Sequence, residues 1–203
     1  MARYTESKAK LCRRFGENIF EIPKYDKILE KRKNPPGQHG QSFRHKVSDY
    51  GIHLREKQKV RFMYGIMEKQ FRRYFEMADR MKGVTGENLL QLLERRLDNV
   101  VYRMGFAVTR PQARQFINHG HLTVNGRKVD IASYLLKEGD VVAVAAKSRN
   151  CTQIKEAADI TSSAYEWIEV DKEKLEGKFL RVPVREQIPV NVDERLIVEF
   201  YSQ

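Results

Sequence analysis

The sequence predicts an α+β fold: an extended basic N-terminal arm, a helical lobe, and a small α/β module with antiparallel strands. Three observations carry that expectation. Apolar residues recur at helical spacing through 52–82 and again through 87–104. An Asn-Gly pair at 125–126, set between β-branched residues, is the strongest short-range signal for a tight hairpin. Pro35, Pro36, Gly37 and Gly40 exclude a regular helix over 31–46.

Residues 1–47 hold few aliphatic clusters and many Lys, Arg, Pro and Gly, and read as an arm that orders on a partner. The helical lobe, 48–93, is defined by the stripe Val60, Met63, Tyr64, Met67, Phe71, Tyr74, Phe75 and Ala78. Gly65 interrupts that stripe and marks a break or a close contact. Lys57, Arg61, Lys69, Arg72 and Arg73 fall on the opposite face, expected to be solvated. Residues 82–86 read as a linker. Leu89, Leu93, Leu97, Val100, Val101 and Met104 give the next helix a buried stripe, with Gly105 suited to its left-handed end.

A module over 94–157 follows. Thr109 caps a helix, Pro111 sits in its first turn, Ala113, Phe116 and Ile117 form its apolar face, and Gly120 stops it. Arg110, Arg114, Gln115 and Asn118 then point more outward, with His119 and His121 flanking the terminal glycine. Leu122 and Val124 open a strand, Arg127 to Val129 return it, and Val141 to Ala145 form another after the Glu138-Gly139-Asp140 turn. Residues 158–203 read as strands and turns, their tail expected to pack back on the helical lobe. Within them, 178–185 is an edge strand because of Pro183, and 195–201 alternates as a strand.

The charge says what such a chain faces. Its 203 residues carry 38 Lys and Arg against 27 Asp and Glu, a net charge of +11. Residues 1–150 hold 31 against 16, a net of +15, and residues 151–203 hold 7 against 11, a net of −4. The basic three quarters suit a polyanion, and the acidic quarter suits solvent or a basic protein. Cys12 and Cys151 make neither a metal-ligand spacing nor a disulfide framework, which fits a reducing cytosol. No apolar run reaches the roughly 18 residues of a membrane span, and the N-terminus lacks a signal-peptide core. Phosphate-loop and nucleophile-elbow motifs are absent. His119 and His121 lack a paired carboxylate nearby in sequence, so acid–base catalysis is not expected.

Taken together, RYT (3–5), KLCRR (10–14), PPGQHG (35–40), SDYGIHLREKQKVRFMYG (48–65), QFRRYF (70–75), RLDNVVYRMGFAVTRPQARQFINHGHLTVNGRKVDI (96–131), GDVV (139–142) and IPVNVDERLIVEFYS (188–202) resemble the bacterial-type small-subunit ribosomal protein four family over nearly the whole chain. The resemblance implies a two-lobed α+β protein carrying the family's namesake RNA-binding module. It implies a non-enzymatic protein of the cytoplasmic ribosome that binds small-subunit rRNA early in assembly, at a helix junction of the 5′ domain. It further implies ribosomal proteins three and five as neighbours near the messenger-RNA entrance, a part in translational accuracy, repression of the protein's own message in some members, and no membrane partner. Some members bind zinc through an N-terminal cysteine cluster. Only Cys12 stands in that region, so no zinc, other metal or cofactor is expected. Ala132 replaces a frequent Pro, and Gln203 a frequent basic residue.

RNA binding needs cations for phosphates and planar or amide groups for sugars and unstacked bases. In the module the candidates are Arg110, Gln112, Arg114, Gln115, Asn118, His119, His121 and Lys128, with Gly120 and Gly126 allowing close backbone approach. The arm and helical lobe add Arg13, Arg14, Gln38, His39, Arg44, Lys46, Tyr50, Arg55, Lys57, Lys59 and Arg61. The competing reading is an RNA-modifying enzyme, since the same module is fused to some pseudouridine synthases whose catalytic Asp sits in an Arg-Leu-Asp context. Here Arg96-Leu97-Asp98 runs into NVVYRM, an apolar helical repeat, and a surface or capping role is expected for Asp98.

Overall fold

The computed structural model describes residues 4–42, 47–160 and 165–202. Among these the architecture is mixed α+β, with helices and one five-stranded antiparallel sheet. The chain forms two compact units, Met1–Arg73 with Asn191–Gln203, and Tyr74–Val190.

The first unit is helical from near its start. Helices α1 (Lys8–Phe15) and α2 (Pro23–Lys31) occupy the region expected to be an extended arm. The overlooked signal is Leu11, Cys12 and Phe15, a single apolar face that α1 buries. Gly16 closes α1 in the left-handed conformation, and Pro23 starts α2. The turns expected after residue 31 do follow: Gly40 donates to the Gly37 carbonyl, and a Cβ on Gly40 would lie 2.1 Å from the Pro35 oxygen.

Helix α3 (Asp49–Met63) starts at Ser48, whose hydroxyl accepts from the Gly51 N–H. Gly65, with φ +64°, lies between α3 and α4 (Glu68–Asp79), so the 52–82 stripe spans two helices. Helix α9 (Glu194–Ser202) packs on α3. The strand expected over 195–201 is therefore corrected to a helix. Leu196, Val198 and Phe200 alternate, but Leu196, Ile197, Phe200 and Tyr201 equally fit helical spacing, and α3 supplies the surface that selects the helix. Tyr201 Oη donates to Glu68 Oε1 at 2.9 Å, Lys57 Nζ donates to the same oxygen at 2.7 Å, and Lys57 lies 4.5 Å from the Phe200 ring centroid.

The charges at that junction predict a pH dependence. Burial works to raise the Glu68 pKa, but the bonds from Lys57 and Tyr201 and the charges of Lys57 and Arg61 hold it below the ordinary value. Burial and Glu68 in turn push the Tyr201 phenol up. A carboxylate with a depressed folded pKa contributes stability above its unfolded pKa and loses it as pH falls through the folded one. Glu68→Gln should therefore speed amide exchange in α9 at neutral pH, and the gap to wild type should close on acidification through the carboxylate range. A gap that does not change with pH would refute the ionic contribution.

The second unit holds α5 (Thr85–Glu94), α6 (Leu97–Arg103), α7 (Arg110–Asn118), α8 (Thr152–Ile160), β1 (Leu122–Val124), β2 (Arg127–Lys128), β3 (Val141–Val144), β4 (Ile168–Asp171) and β5 (Glu176–Phe179). The helix expected over 87–104 is two, because Arg95 and Arg96 leave helical continuity, and the expected linker's Thr85 and Gly86 already belong to α5. The sheet order is β2-β1-β3-β5-β4. Asn125 and Gly126, at φ +50° and +77°, make the hairpin turn that pairs Val124 with Arg127. The expected edge strand over 178–185 is corrected: β5 ends at Phe179 and lies between β3 and β4, and Pro183 falls beyond it. The acidic quarter also contains α8, which buries Ile154, Ala157 and Ala158 at one-turn spacing. The core joins α6 and α7 to the sheet through Leu97, Val100, Val101, Phe116, Ile117, Leu122, Val124, Val142, Val144 and Phe179. A Cβ at Gly177 would stand 2.7 Å from Met104 Sδ and 3.2 Å from the Glu169 carbonyl, so the close approach of β5 to the end of α6 requires a glycine there.

Candidate RNA-binding surface

The module's polar side chains divide into a buried ionic framework and an exposed rim. Glu94 is fully buried and accepts from Asn99 Nδ2 at 2.6 Å and from Arg103 Nη2 at 3.2 Å. Arg103 also donates to Tyr165 Oη at 2.8 Å. Asn99 Oδ1 accepts from Arg110 Nε at 2.8 Å, and the Arg110 guanidinium lies 4.5 Å from the Tyr102 ring centroid. Asp98, 2% exposed, accepts from Arg96 Nη2 at 2.7 Å and Nε at 3.1 Å, and from Arg114 Nε at 3.0 Å with a second, short contact from Arg114 Nη2. Arg96 completes the group by donating to Tyr74 Oη at 2.7 Å. Burial works against the Arg96 charge, but Asp98 and Tyr74 more than offset it and raise its pKa.

Three expectations are corrected by this framework. Arg110 is buried and Arg114 is tied to Asp98, so neither guanidinium points freely outward from α7. Asp98 is a buried ion-pair hub and not a surface group. The physical reason is that a buried charge needs hydrogen-bonded partners, which the α6–α7 packing supplies: Asp98 and Arg114 find opposite charges, and Arg110 finds the Asn99 amide oxygen and the Tyr102 ring.

Gln115, Asn118 and His119 are exposed at the end of α7, and Lys128 is exposed on β2. Lys128 lies over Gly120, where a Cβ would come 2.3 Å from its Cε and 3.0 Å from its Nζ. His121, half-buried, places Nδ1 2.8 Å from Ser148 Oγ, and its ring centroid is 6.0 Å from that of His119. Burial, then the neighbouring His119 and Lys147, lower the His121 pKa and favour the neutral ring at neutral pH. Gly126 stands in open space at the hairpin tip. Gln112 secures the start of α7. Thr109 Oγ1 accepts from its N–H, and its Oε1 accepts from the Val108 N–H. Sequence reading passed over Arg127, Lys147 and Arg149, which are also exposed. The signal available for Arg127 was its place beside the Asn-Gly turn.

In the first unit, Arg13 donates to the Asn34 carbonyl at 2.9 Å and the Pro35 carbonyl at 3.1 Å, fastening the proline turn to α1. Arg55 Nη2 donates to the Phe15 carbonyl at 2.7 Å and the Arg14 carbonyl at 3.2 Å. Arg14, Gln38 and His39 are exposed. Tyr50 is exposed, with its ring centroid 5.5 Å from that of Phe200. Arg61 stacks on Phe62 at 4.4 Å. Lys57, expected on a solvated face, and Lys59, expected as an RNA contact, are both buried, Lys57 on Glu68 and Lys59 on Glu17 at 2.7 Å and the Asn191 carbonyl. Arg44 and Lys46 lie outside the described residues. Among the described residues no helix is long and apolar enough to cross a membrane, and no group of three or more His, Cys, Asp or Glu is placed to hold a metal.

Residues 3–94 match the family described as Ribosomal protein S4/S9 N-terminal domain, and residues 95–142 match the S4 domain. The boundary between the two runs through the buried framework, because Glu94 bonds Asn99 and Arg103. The chain is 58% identical to the small ribosomal subunit protein uS4A of Symbiobacterium thermophilum over 208 residues, covering all of both chains. It is 53% identical to the small ribosomal subunit protein uS4 of Thermodesulfovibrio yellowstonii over 209 residues, and 55% identical to that of Christiangramia forsetii over 204, again end to end.

Proposed function

The chain belongs to the small ribosomal subunit protein uS4 family, and from that premise we propose that it binds small-subunit rRNA as a non-enzymatic component of the cytoplasmic ribosome. The observation that carries the reading is the module's exposed rim, with the amide and imidazole groups of Gln115, Asn118 and His119 at the end of α7 and the Lys128 ammonium lying over Gly120. Cations there position phosphates, and the amides and rings suit sugars and unstacked bases.

The finer reading follows from the charge division and the family. The protein is a primary binder that nucleates 5′-domain assembly at a helix junction. Its acidic C-terminal quarter contacts basic neighbours, ribosomal proteins three and five, beside the messenger-RNA entrance, with an effect on accuracy. In the first unit, Arg14, Gln38, His39 and Tyr50 are candidate contacts, joined by Arg44 and Lys46 from the sequence alone. Arg13, Arg55, Arg61, Lys57 and Lys59 contribute by holding these segments in place, as Arg110, Gln112 and Arg114 do in the module. A modifying enzyme built around Asp98 is disfavoured, since a carboxylate 2% exposed between two guanidinium groups cannot meet a substrate.

A filter-binding titration against the 5′ domain of small-subunit rRNA, with an unrelated RNA of equal length as competitor, tests the reading. Binding that survives excess competitor is expected. Weak binding abolished by the competitor would reduce the rim to nonspecific electrostatics.

A further inference from the structure

Asn125 is the first half of the only Asn-Gly pair in the chain, and none of the RNA contacts above uses it. Its carboxamide ties two turns of the second unit together. Nδ2 donates to Asp140 Oδ1 at 2.8 Å, and Oδ1 accepts from the Val141 N–H at 2.9 Å. Asp140 is itself fixed, because its other oxygen accepts from the Lys137 N–H at 2.7 Å. The Asn125 N–H donates to the Val141 carbonyl at 2.8 Å. Yet Asn125 and Gly126 are both exposed, and the space where a Gly126 Cβ would stand is open for 4 Å. Solvent base thus reaches a main-chain nitrogen with no side chain to shield it, next to a carboxamide held only by hydrogen bonds.

We propose that Asn125 is a spontaneous deamidation site which the bonds to Asp140 and Val141 hold closed in the folded module, and which opening of the two turns releases. Base removes the Gly126 amide proton, and the nitrogen attacks Asn125 Cγ. The carboxamide nitrogen takes a proton from water and leaves as ammonia, giving a succinimide and restoring the base. Water then adds across one of the two imide C–N bonds to give aspartate or isoaspartate. One water is consumed, one ammonia is released, and nothing is oxidised or reduced. To reach the Gly126 nitrogen, Cγ must turn away from both partners, so the two hydrogen bonds oppose the reaction. The product cannot restore them. A carboxylate has no donor for Asp140 and places two like charges within hydrogen-bond distance, and isoaspartate also lengthens the main chain of the turn. The new negative charge falls beside Arg127 and Lys128. The inference does not depend on the RNA-binding reading.

Peptide mapping of the intact chain at mildly alkaline pH, with enzymatic methylation of isoaspartyl groups, reads the product at position 125. The urea-unfolded chain should react faster than the folded chain by about tenfold or more, the factor set by losing one to two net hydrogen bonds. Asp140→Ala should move the folded rate toward the unfolded one. Asp140→Asn, which keeps an acceptor oxygen in place, should stay near wild type. Three results would overturn the proposal: equal rates in folded and unfolded wild type, no product in the unfolded chain, or an Asp140→Ala rate at or below wild type, which would make the carboxylate a promoter of the reaction. Circular dichroism checks that Asp140→Ala folds. Should it not, the comparison of folded with unfolded wild type decides alone.

Discussion

Asp98→Ala should destabilise the chain by about 3–5 kcal/mol, the loss typical of removing one partner from a buried ion pair. Asp98 is the common acceptor for Arg96 and Arg114, and Arg96 is 1% exposed. Alanine leaves two guanidinium groups facing one another with the low-dielectric interior around Arg96, and only Tyr74 Oη remains as a neutral acceptor for it. Asp98→Asn keeps one acceptor oxygen at nearly the same place and should cost less, because it removes the charge but not the shape. Replacing the whole group by apolar residues of similar volume should cost least, since the desolvation of three ions disappears with their attraction. Equilibrium urea unfolding measures all three. A shift in midpoint at constant slope with urea identifies a stability effect in the native state. An Asp98→Ala chain within about 1 kcal/mol of wild type would remove the carboxylate from this structural role.

How far the sequence revealed these features depends on whether the deciding contact is local. The Asn125-Gly126 hairpin and the Thr109-to-Gly120 helix were legible because a turn needs positive φ and a cap needs a hydroxyl, and both demands are met within four residues. Helix α9 was not. Its Leu196, Val198 and Phe200 alternate as a strand would, while Leu196, Ile197, Phe200 and Tyr201 keep helical spacing, and the choice is made by α3, more than a hundred residues away in sequence. Helix α1 was hidden by its charge, since its polar neighbours outweighed Leu11, Cys12 and Phe15 in a short window. The candidate site divides the same way. Gln115, Asn118, His119 and Lys128 were placed at a helix end and a hairpin, and the structure leaves them exposed. Arg110, Arg114, Lys57 and Lys59 look like surface cations in the sequence, because charged side chains are rarely buried. Each is buried or half-buried against a partner, Lys57 on Glu68 and Arg114 on Asp98, and no periodicity encodes such pairs.

Exposed and framework cations should therefore respond differently to removal. Joint replacement of Arg127, Lys128 and Lys147 by alanine should weaken rRNA binding and reduce the dependence of affinity on salt, by about 0.7–0.9 unit of slope for each phosphate no longer neutralised. All three side chains are exposed, so folding stability should stay within about 0.5 kcal/mol of wild type per position. Arg110→Ala makes the opposite pairing. It removes the donor to Asn99 Oδ1 and the cation on the Tyr102 ring, inside the group that also contains Glu94 and Arg103. Its loss of RNA affinity should follow its loss of stability, and conditions that restore folding should restore binding. Arg114→Ala should behave alike, since it takes away one of the two guanidinium groups that hold Asp98. Titrations across salt concentrations, run beside urea unfolding for each variant, separate the two groups. An unchanged salt slope in the triple variant would place the RNA elsewhere on the chain. An Arg110→Ala chain of full stability that lost slope would show instead that this guanidinium leaves the framework to meet phosphate.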